Sequence, residues 1–309
     1  MLRMGELNTG DRGAPVAMNG PADALKPKAA VQIFLPHPRL QAYVTFYYFV
    51  EAFEPLSDFL YPEWGNVRFA LSGDWTVLND PRDPVVPGQR TLYGPTDRAA
   101  RVVTTGGRVA GFGLTPLGWD RLIGSDAGAM ANRVVEIDGE LGCDAVELQA
   151  AFIADGDDTA AGVARFDQVL LNLLAHRPAN EPAVLAVDRV LRMRPHDVVV
   201  FADQVGVSPR TLQRVCLHAF GFPPKRLLRR QRFLENLGVI RVTPDVTFGA
   251  ILDDDYFDQA HFNRDFRDFI GMTPRDFVRT PRDLMQAAAV AQAAMGITLS
   301  FKLPEPPAE

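Results

Sequence analysis

Apolar residues along the 309-residue chain change their period near its middle. From Val31 to about Gly113 they fall in short β-branched and aromatic runs: Tyr43–Val50, Val67–Leu71, Trp75–Leu78, Arg101–Thr104 and Val109–Leu114. Clusters of Pro, Gly, Asn and Asp, such as Leu78–Pro81 and Pro87–Gln89, separate the runs. Short runs with turn residues between them predict strands of a small barrel or sandwich. Beyond residue 115 the period lengthens. Leu117–Ile123 and Cys143–Ala154 read as helical, and Gly162–His176 places Phe166, Leu170, Leu173 and Leu174 on one face. Such a stripe serves core packing or a dimer contact equally well. Arg177–Glu181, with Pro178 and then Pro182, reads as a linker.

The second half repeats itself loosely. Phe201–Gly221 and Phe248–Gly271 each read as helix, short turn, helix, then Phe-Gly or Ile-Gly. In the first stretch the apolar run Val198–Val205 ends at Gly206, whose missing Cβ permits a left-handed turn. Ser208 is a good N-cap, and Pro209 sits at the first helical position, where its missing N–H costs nothing. Leu212, Val215, Cys216 and Phe220 then recur at helical spacing, which predicts burial and an inert Cys216 thiol. On the other face Arg210, Gln213 and Arg214 stand at i, i+3, i+4. Arg and Gln on the first turns of a second helix can each make two hydrogen bonds to a base edge in the major groove.

Charge sharpens this picture once it is read by segment. The chain carries 32 Lys+Arg against 38 Asp+Glu, a formal −6, but residues 196–309 hold 14 of each, so the acidity lies upstream. Val205–Arg241 alone carries +7 in 37 residues, whereas Val242–Thr280 carries −4. A local basic stripe in a neutral region is what phosphate contact requires.

The run "LQR…FG…P…LLRRQR" followed by "FDQAHFNRDFRDFIGMTPRDF" resembles the AraC/XylS family of bacterial transcription regulators over about residues 198–279. The resemblance rests on Ser208-Pro209, Leu212-Gln213-Arg214, Phe220-Gly221, Pro224 and Leu228, then Asp258-Gln259, His261-Phe262, Arg264, Phe266, Phe269, Gly271 and Thr273-Pro274. It implies two helix-turn-helix units joined by a long helix, the second helix of each reading the major groove. On this chain the base readers would be Arg210, Gln213 and Arg214, then Gln259, Asn263 and Arg264. Ser208, Thr211, Lys225, Arg229 and Arg230 are expected at DNA phosphates. Two positions depart from the family: Ile251 stands where Ala is usual and Asp255 where Gly is usual, inside Asp253-Asp254-Asp255. Three carboxylates repel phosphate, so the second unit is expected to contribute less to binding. Gly238 lies within the expected joining helix, at a cost of about 1 kcal/mol relative to Ala.

The expected fold class is therefore α+β multidomain. A disordered tail spans 1–30, a β-rich sensor domain 31–150, and a helical connector or dimer helix 151–178. The double helix-turn-helix domain spans 183–280, and a tail with an Ala-rich helix spans 281–309. More weakly, Phe34–Tyr47, Tyr61–Asp74 and Gly111–Gly124 resemble the β-rich domains that precede such modules. That resemblance implies a small-molecule effector, and Phe46, Tyr48, Trp64, Phe69, Trp75 and Phe112 are the aromatic candidates for lining its pocket, or simply for filling a core. Double-stranded DNA is the expected partner, with RNA polymerase and a second copy as further candidates. Activation and repression both stay open.

The rival readings lack their residues. A cupin-like enzyme needs two or three converging histidines with a carboxylate, and residues 1–175 contain only His37. Neither a Gly-x-Ser-x-Gly elbow nor a phosphate-binding Gly-rich loop followed by Lys-Ser/Thr occurs, so no catalysis and no cofactor or metal are expected. A protein-interaction module with weak or lost DNA binding is the main alternative, motivated by the acidic second unit. Leu284–Phe301 runs 18 residues without a charge, but its alanines and glutamines are too weakly apolar for a spanning helix. Two cysteines, Cys143 and Cys216, and the lack of a signal-like N-terminus make the cytoplasm the expected location.

Overall fold

The structure, a computed structural model, describes residues 27–80, 83–86, 88–137, 145–146, 148–150, 159–242 and 259–295. Its first part is one antiparallel sheet of β1 (Ala29–Phe34), β2 (Val44–Ala52), β3 (Leu56–Leu60), β4 (Asn66–Asp80), β5 (Asp83–Val85), β6 (Arg90–Tyr93), β7 (Ala100–Leu114) and β8 (Val134–Glu136). The order is β1-β2-β7-β4-β6-β8, with β3 on β7 and β5 on β4. β1 begins inside the stretch read as a tail.

The spine is the β4–β7 pair. Each is 15 residues long, although the sequence pattern broke each into two strands. The breaks are bulges, not turns, with register shifts between Ala70 and Ser72 and between Gly73 and Trp75. Here the two backbones touch. Gly107 has φ +127°, and a Cβ there would lie 2.2 Å from the Ser72 carbonyl oxygen. Only glycine permits that approach.

A long helix, α1 (Thr159–His176), closes the sheet. Its Phe166 stacks on Tyr47 at 5.2 Å and meets the edge of Phe112 at 5.9 Å. Phe166, Leu170, Leu173 and Leu174 all belong to this core, so the stripe is core packing. The six aromatic residues expected around a pocket scatter instead. Phe69 and Phe112 fill the α1 core, Phe46, Tyr48 and Trp75 belong to a second cluster with Ile33 and Val77, and Trp64 turns toward the helices. They do not surround one cavity because the rings are divided among three separate cores.

The helical part comprises α2 (Pro182–Arg192), α3 (Val198–Val205), α4 (Pro209–Phe220), α5 (Pro224–Val242), α6 (Gln259–Ile270), α7 (Pro274–Arg279) and α8 (Asp283–Ala294). It makes two cores, and both include residues of the β-rich part. Leu117, Tyr43 and Trp64 join the core of α2 to α5, and Tyr61 joins the phenylalanine core of Phe233, Phe262, Phe266, Phe269 and Phe277. The expected tail helix is docked too. Leu284 of α8 is buried with Ile33 and Leu56, and the Asp58 carboxylate accepts from the Met285 N–H at 2.9 Å. Among the described residues no helix is long and apolar enough to cross a membrane.

Two of the positive-φ glycines, Gly206 and Gly107, separate local strain from collision. Gly206 has φ +78° with nothing within 4 Å of an added Cβ. Gly206→Ala is expected to cost about 1 kcal/mol, the intrinsic left-handed penalty. Gly107→Ala must also push apart two strands and is expected to cost more than about 2 kcal/mol. Urea unfolding of the two variants checks the order, and equal losses would contradict the bulge geometry.

Candidate nucleic-acid interface

Local chemistry sets the first unit. The Asp197 side chain caps α3 by accepting from the Val200 N–H at 2.8 Å. Gly206, left-handed, donates its N–H to the Ala202 carbonyl at 3.0 Å and turns the chain. The Ser208 hydroxyl then accepts from the Thr211 N–H at 3.2 Å and pairs with the Thr211 hydroxyl at 2.9 Å, opening α4. Leu212, Val215, Cys216, Ala219 and Phe220 are buried against α2 and α3, which fixes the opposite face outward. Arg210, Gln213 and Arg214 are all exposed on that face. Burial pushes the Cys216 thiol up to about 12, so it stays protonated packing.

In the second unit α6 buries Phe262, Phe266 and Phe269, with Phe233 stacked on Phe269 at 4.8 Å. Gln259 and Arg264 are exposed and Asn263 is half-buried. Arg267, which sequence reasoning passed over, is exposed three residues after Arg264 and so shares its side of the helix. The expected first helix of this unit, with Ile251, Asp253, Asp254 and Asp255, lies outside the described residues.

The joining helix α5 departs from expectation. Lys225 is exposed, but the two arginines expected at phosphates are engaged inside the protein. Arg229 bonds to the carboxylates of Asp265 at 2.5 Å and Asp268 at 3.0 Å, both on α6. Arg230 is only 2% exposed; its Nε donates to the Thr96 carbonyl at 2.9 Å and its guanidinium lies 4.0 Å over the Trp64 ring. Burial pushes Arg230 down to about 9, and in this arrangement it cannot reach a phosphate. Arg226, absent from the expected set, is a three-way link. It pairs with Asp97 at 2.7 Å and with Asp268, and its guanidinium covers the Phe269 ring at 4.1 Å. Although burial acts the other way, Arg226 holds the Asp97 carboxyl below its ordinary value.

These pairs redistribute charge. Asp265 is buried and Asp268 bridges two arginines, so neither faces outward unpaired. The basic stripe loses Arg226, Arg229 and Arg230 to internal partners. Among the described residues, the charge difference between the units is therefore smaller on the surface than along the chain.

Residues 201–280 match the family model described as a helix-turn-helix domain. No curated protein sequence matches the chain. Solved structures similar to it include ToxT from Vibrio cholerae, at 8% identity and TM-score 0.41, covering 82% of this chain and 98% of that one. The AraC-like transcriptional activator CuxR is similar at 15% identity and TM-score 0.27, covering 67% and 86%.

The Asp97–Arg226 pair makes a stability claim. A carboxyl held below its unfolded value of 3.8 stabilises fully above that pH and loses its contribution as pH falls through the lower folded value. Asp97→Ala is expected to cost about 2 kcal/mol at pH 7, since Arg226 keeps Asp268, and clearly less at about pH 3. Urea unfolding at both pH values reads the difference, and a loss unchanged by acid would show that packing, not charge, is at work.

Proposed function

We propose that the chain is a DNA-binding transcription regulator whose two helix-turn-helix units, within the matched residues 201–280, read adjacent major-groove segments. The readers are Arg210, Gln213 and Arg214 on α4, and Gln259, Asn263 and Arg264 on α6, with Arg267 beside them. The observation that supports this most is the outward set on α4. It is held there by an opposite face buried to the last apolar residue, and by caps that leave the helix N-terminus accessible. Phosphate contact falls to Lys225 and the exposed hydroxyl of Ser208, with Thr211 half-buried beside it.

The rival interaction-module reading drew on the acidity of the second unit. Asp265 and Asp268 give it little support, because both are taken up by α5 arginines. Control by a small molecule would enter through the β-rich part, since Tyr43, Trp64 and Tyr61 sit within the cores of the two units. Access to DNA would place the chain in the cytoplasm. RNA polymerase and a second copy remain partners to be tested.

Arg214→Ala is expected to cost about 1–3 kcal/mol on a selected site and to relax preference at one base position. Arg264→Ala should fall within about 1 kcal/mol of that loss, because the carboxylates beside it are neutralised. Lys225→Ala should lower the salt slope by about one unit, while Arg230→Met leaves it unchanged. Anisotropy titrations on selected and scrambled duplexes at several salt concentrations decide each case. Unchanged affinity in Arg264→Ala would restore the inequality read from charge along the chain.

A further inference from the structure

The last described helix, α8, is capped from the sheet. Arg282, at its N-cap, makes no side-chain hydrogen bond there, so the orphan N–H groups of the first turn need another acceptor. Asp58 of β3 supplies it from 227 positions away. Its Oδ2 accepts from the Met285 N–H at 2.9 Å, and its Oδ1 from the Phe59 N–H at 2.6 Å. Asp58 is only 1% exposed. Burial raises its carboxyl above the ordinary value, against the pull of the Met285, Phe59 and Leu284 N–H groups and the Arg282 charge. The positive end of a helix offsets part of the cost of keeping a carboxylate from water.

Two cores meet around this cap. Leu284 enters the sheet core with Ile33 and Leu56, and the next residue, Met285, packs against the phenylalanine core of the second unit. β3 does the same by alternation, with Leu56 and Leu60 on the sheet core and Phe59 on the phenylalanine core. The Arg282 guanidinium lies 4.3 Å over the Phe277 ring, which is fully buried at the end of the second unit. Farther along α8, Ala289 is buried and Val290 is 62% exposed.

We infer that Asp58 is a positioning residue for DNA reading: by capping α8 it moors α7, and with it the second reading unit, to the sheet, and so limits the half-site spacing that the chain accepts. The inference rests on the two-unit reading above. The first unit takes its place from the sheet through Tyr43 and Trp64, so both reading faces are set against one body. One base pair added between half-sites moves the second by about 3.4 Å and turns it by roughly 35°, more than a moored helix can follow. Without the cap, α6 keeps its aromatic core and its ion pairs with α5 but loses the tie that runs through α7.

Three full-length variants test this. Asp58→Asn keeps the shape, but its one carbonyl faces two N–H groups and its NH2 meets one of them. Ala289→Glu puts a charge at a buried position of α8 and leaves β3 untouched, which guards against misfolding of Asp58→Asn. Val290→Glu is the outward control. Anisotropy titrations compare a selected duplex with one carrying a single base pair inserted between its half-sites. The wild type and Val290→Glu are expected to lose at least about tenfold on the insertion, and Asp58→Asn and Ala289→Glu at least about threefold less. A purely structural role would lower the melting temperature and leave that ratio alone. Hydrogen exchange without DNA reads the mooring itself: α7 amides should exchange at least about tenfold faster in both variants, with α4 amides unchanged. Protection of α7 equal to the wild type in both variants overturns the inference. An unchanged insertion ratio in variants whose α7 has loosened overturns it too. If α7 loosens but the wild type binds both duplexes alike, or neither, the two-unit reading falls and the mooring stands.

Discussion

A cation buried between sheet and helices holds this molecule in register. Arg230 has almost no contact with water, and bringing a guanidinium into that setting is costly unless its donors and its charge are met. The Trp64 ring meets the face and the Thr96 carbonyl meets Nε, while Nη2 has no hydrogen-bond partner among the described residues. One turn away Arg226 pairs with Asp97 on the same loop. That loop is itself tied down. Thr96 donates to the Glu63 carbonyl at 2.9 Å, and Asn132 bonds to the Asp97 carboxylate at 2.9 Å. The axis of α5 is therefore set by the β-rich part.

Both reading helices inherit that setting. The core of α4 includes Leu227 of α5, and the core of α6 includes Phe233, Leu234 and Leu237 of α5. The loop also reaches α6 directly, where the Ala99 N–H donates to the Phe269 carbonyl at 2.6 Å. A regulator whose sensor were a separate body on a linker would need a new contact to transmit a signal. Here Tyr43, Trp64 and Tyr61 are already core residues of the units, and any shift in the sheet must be accommodated where the helices pack.

What could be read from the chain alone follows from the range of each interaction. The turn between α3 and α4 was legible because Gly206, Ser208 and Pro209 act within four residues of themselves, and the outward face followed from helical spacing. The breaks in β4 and β7 were misread because Gly73, Gly106 and Gly107 give the same signal in a bulge as in a turn. The aromatic residues were recognised as apolar, but nothing local says which of three cores each ring enters. Arg230 was beyond reach. Its carbonyl partner lies 134 positions away, and a basic run looks the same whether its members face solvent or a tryptophan.

The same limit governs electrostatics. Charge summed along a segment treats each side chain as free to meet DNA, whereas the field at the groove comes from charges that are not cancelled nearby. Asp268 answers both Arg226 and Arg229 across two units that the sequence places on opposite sides of a sign change. A basic segment and an acidic one that pair with each other present a modest field from both. The outward cations, among them Arg210, Arg214 and Lys225 on one side and Arg264, Arg267, Arg275 and Arg279 on the other, are spread over three helices and the start of the one that joins the units. Affinity built on that distribution depends on how far apart α5 holds the two faces, and so on the buried arginine that ties α5 to the sheet.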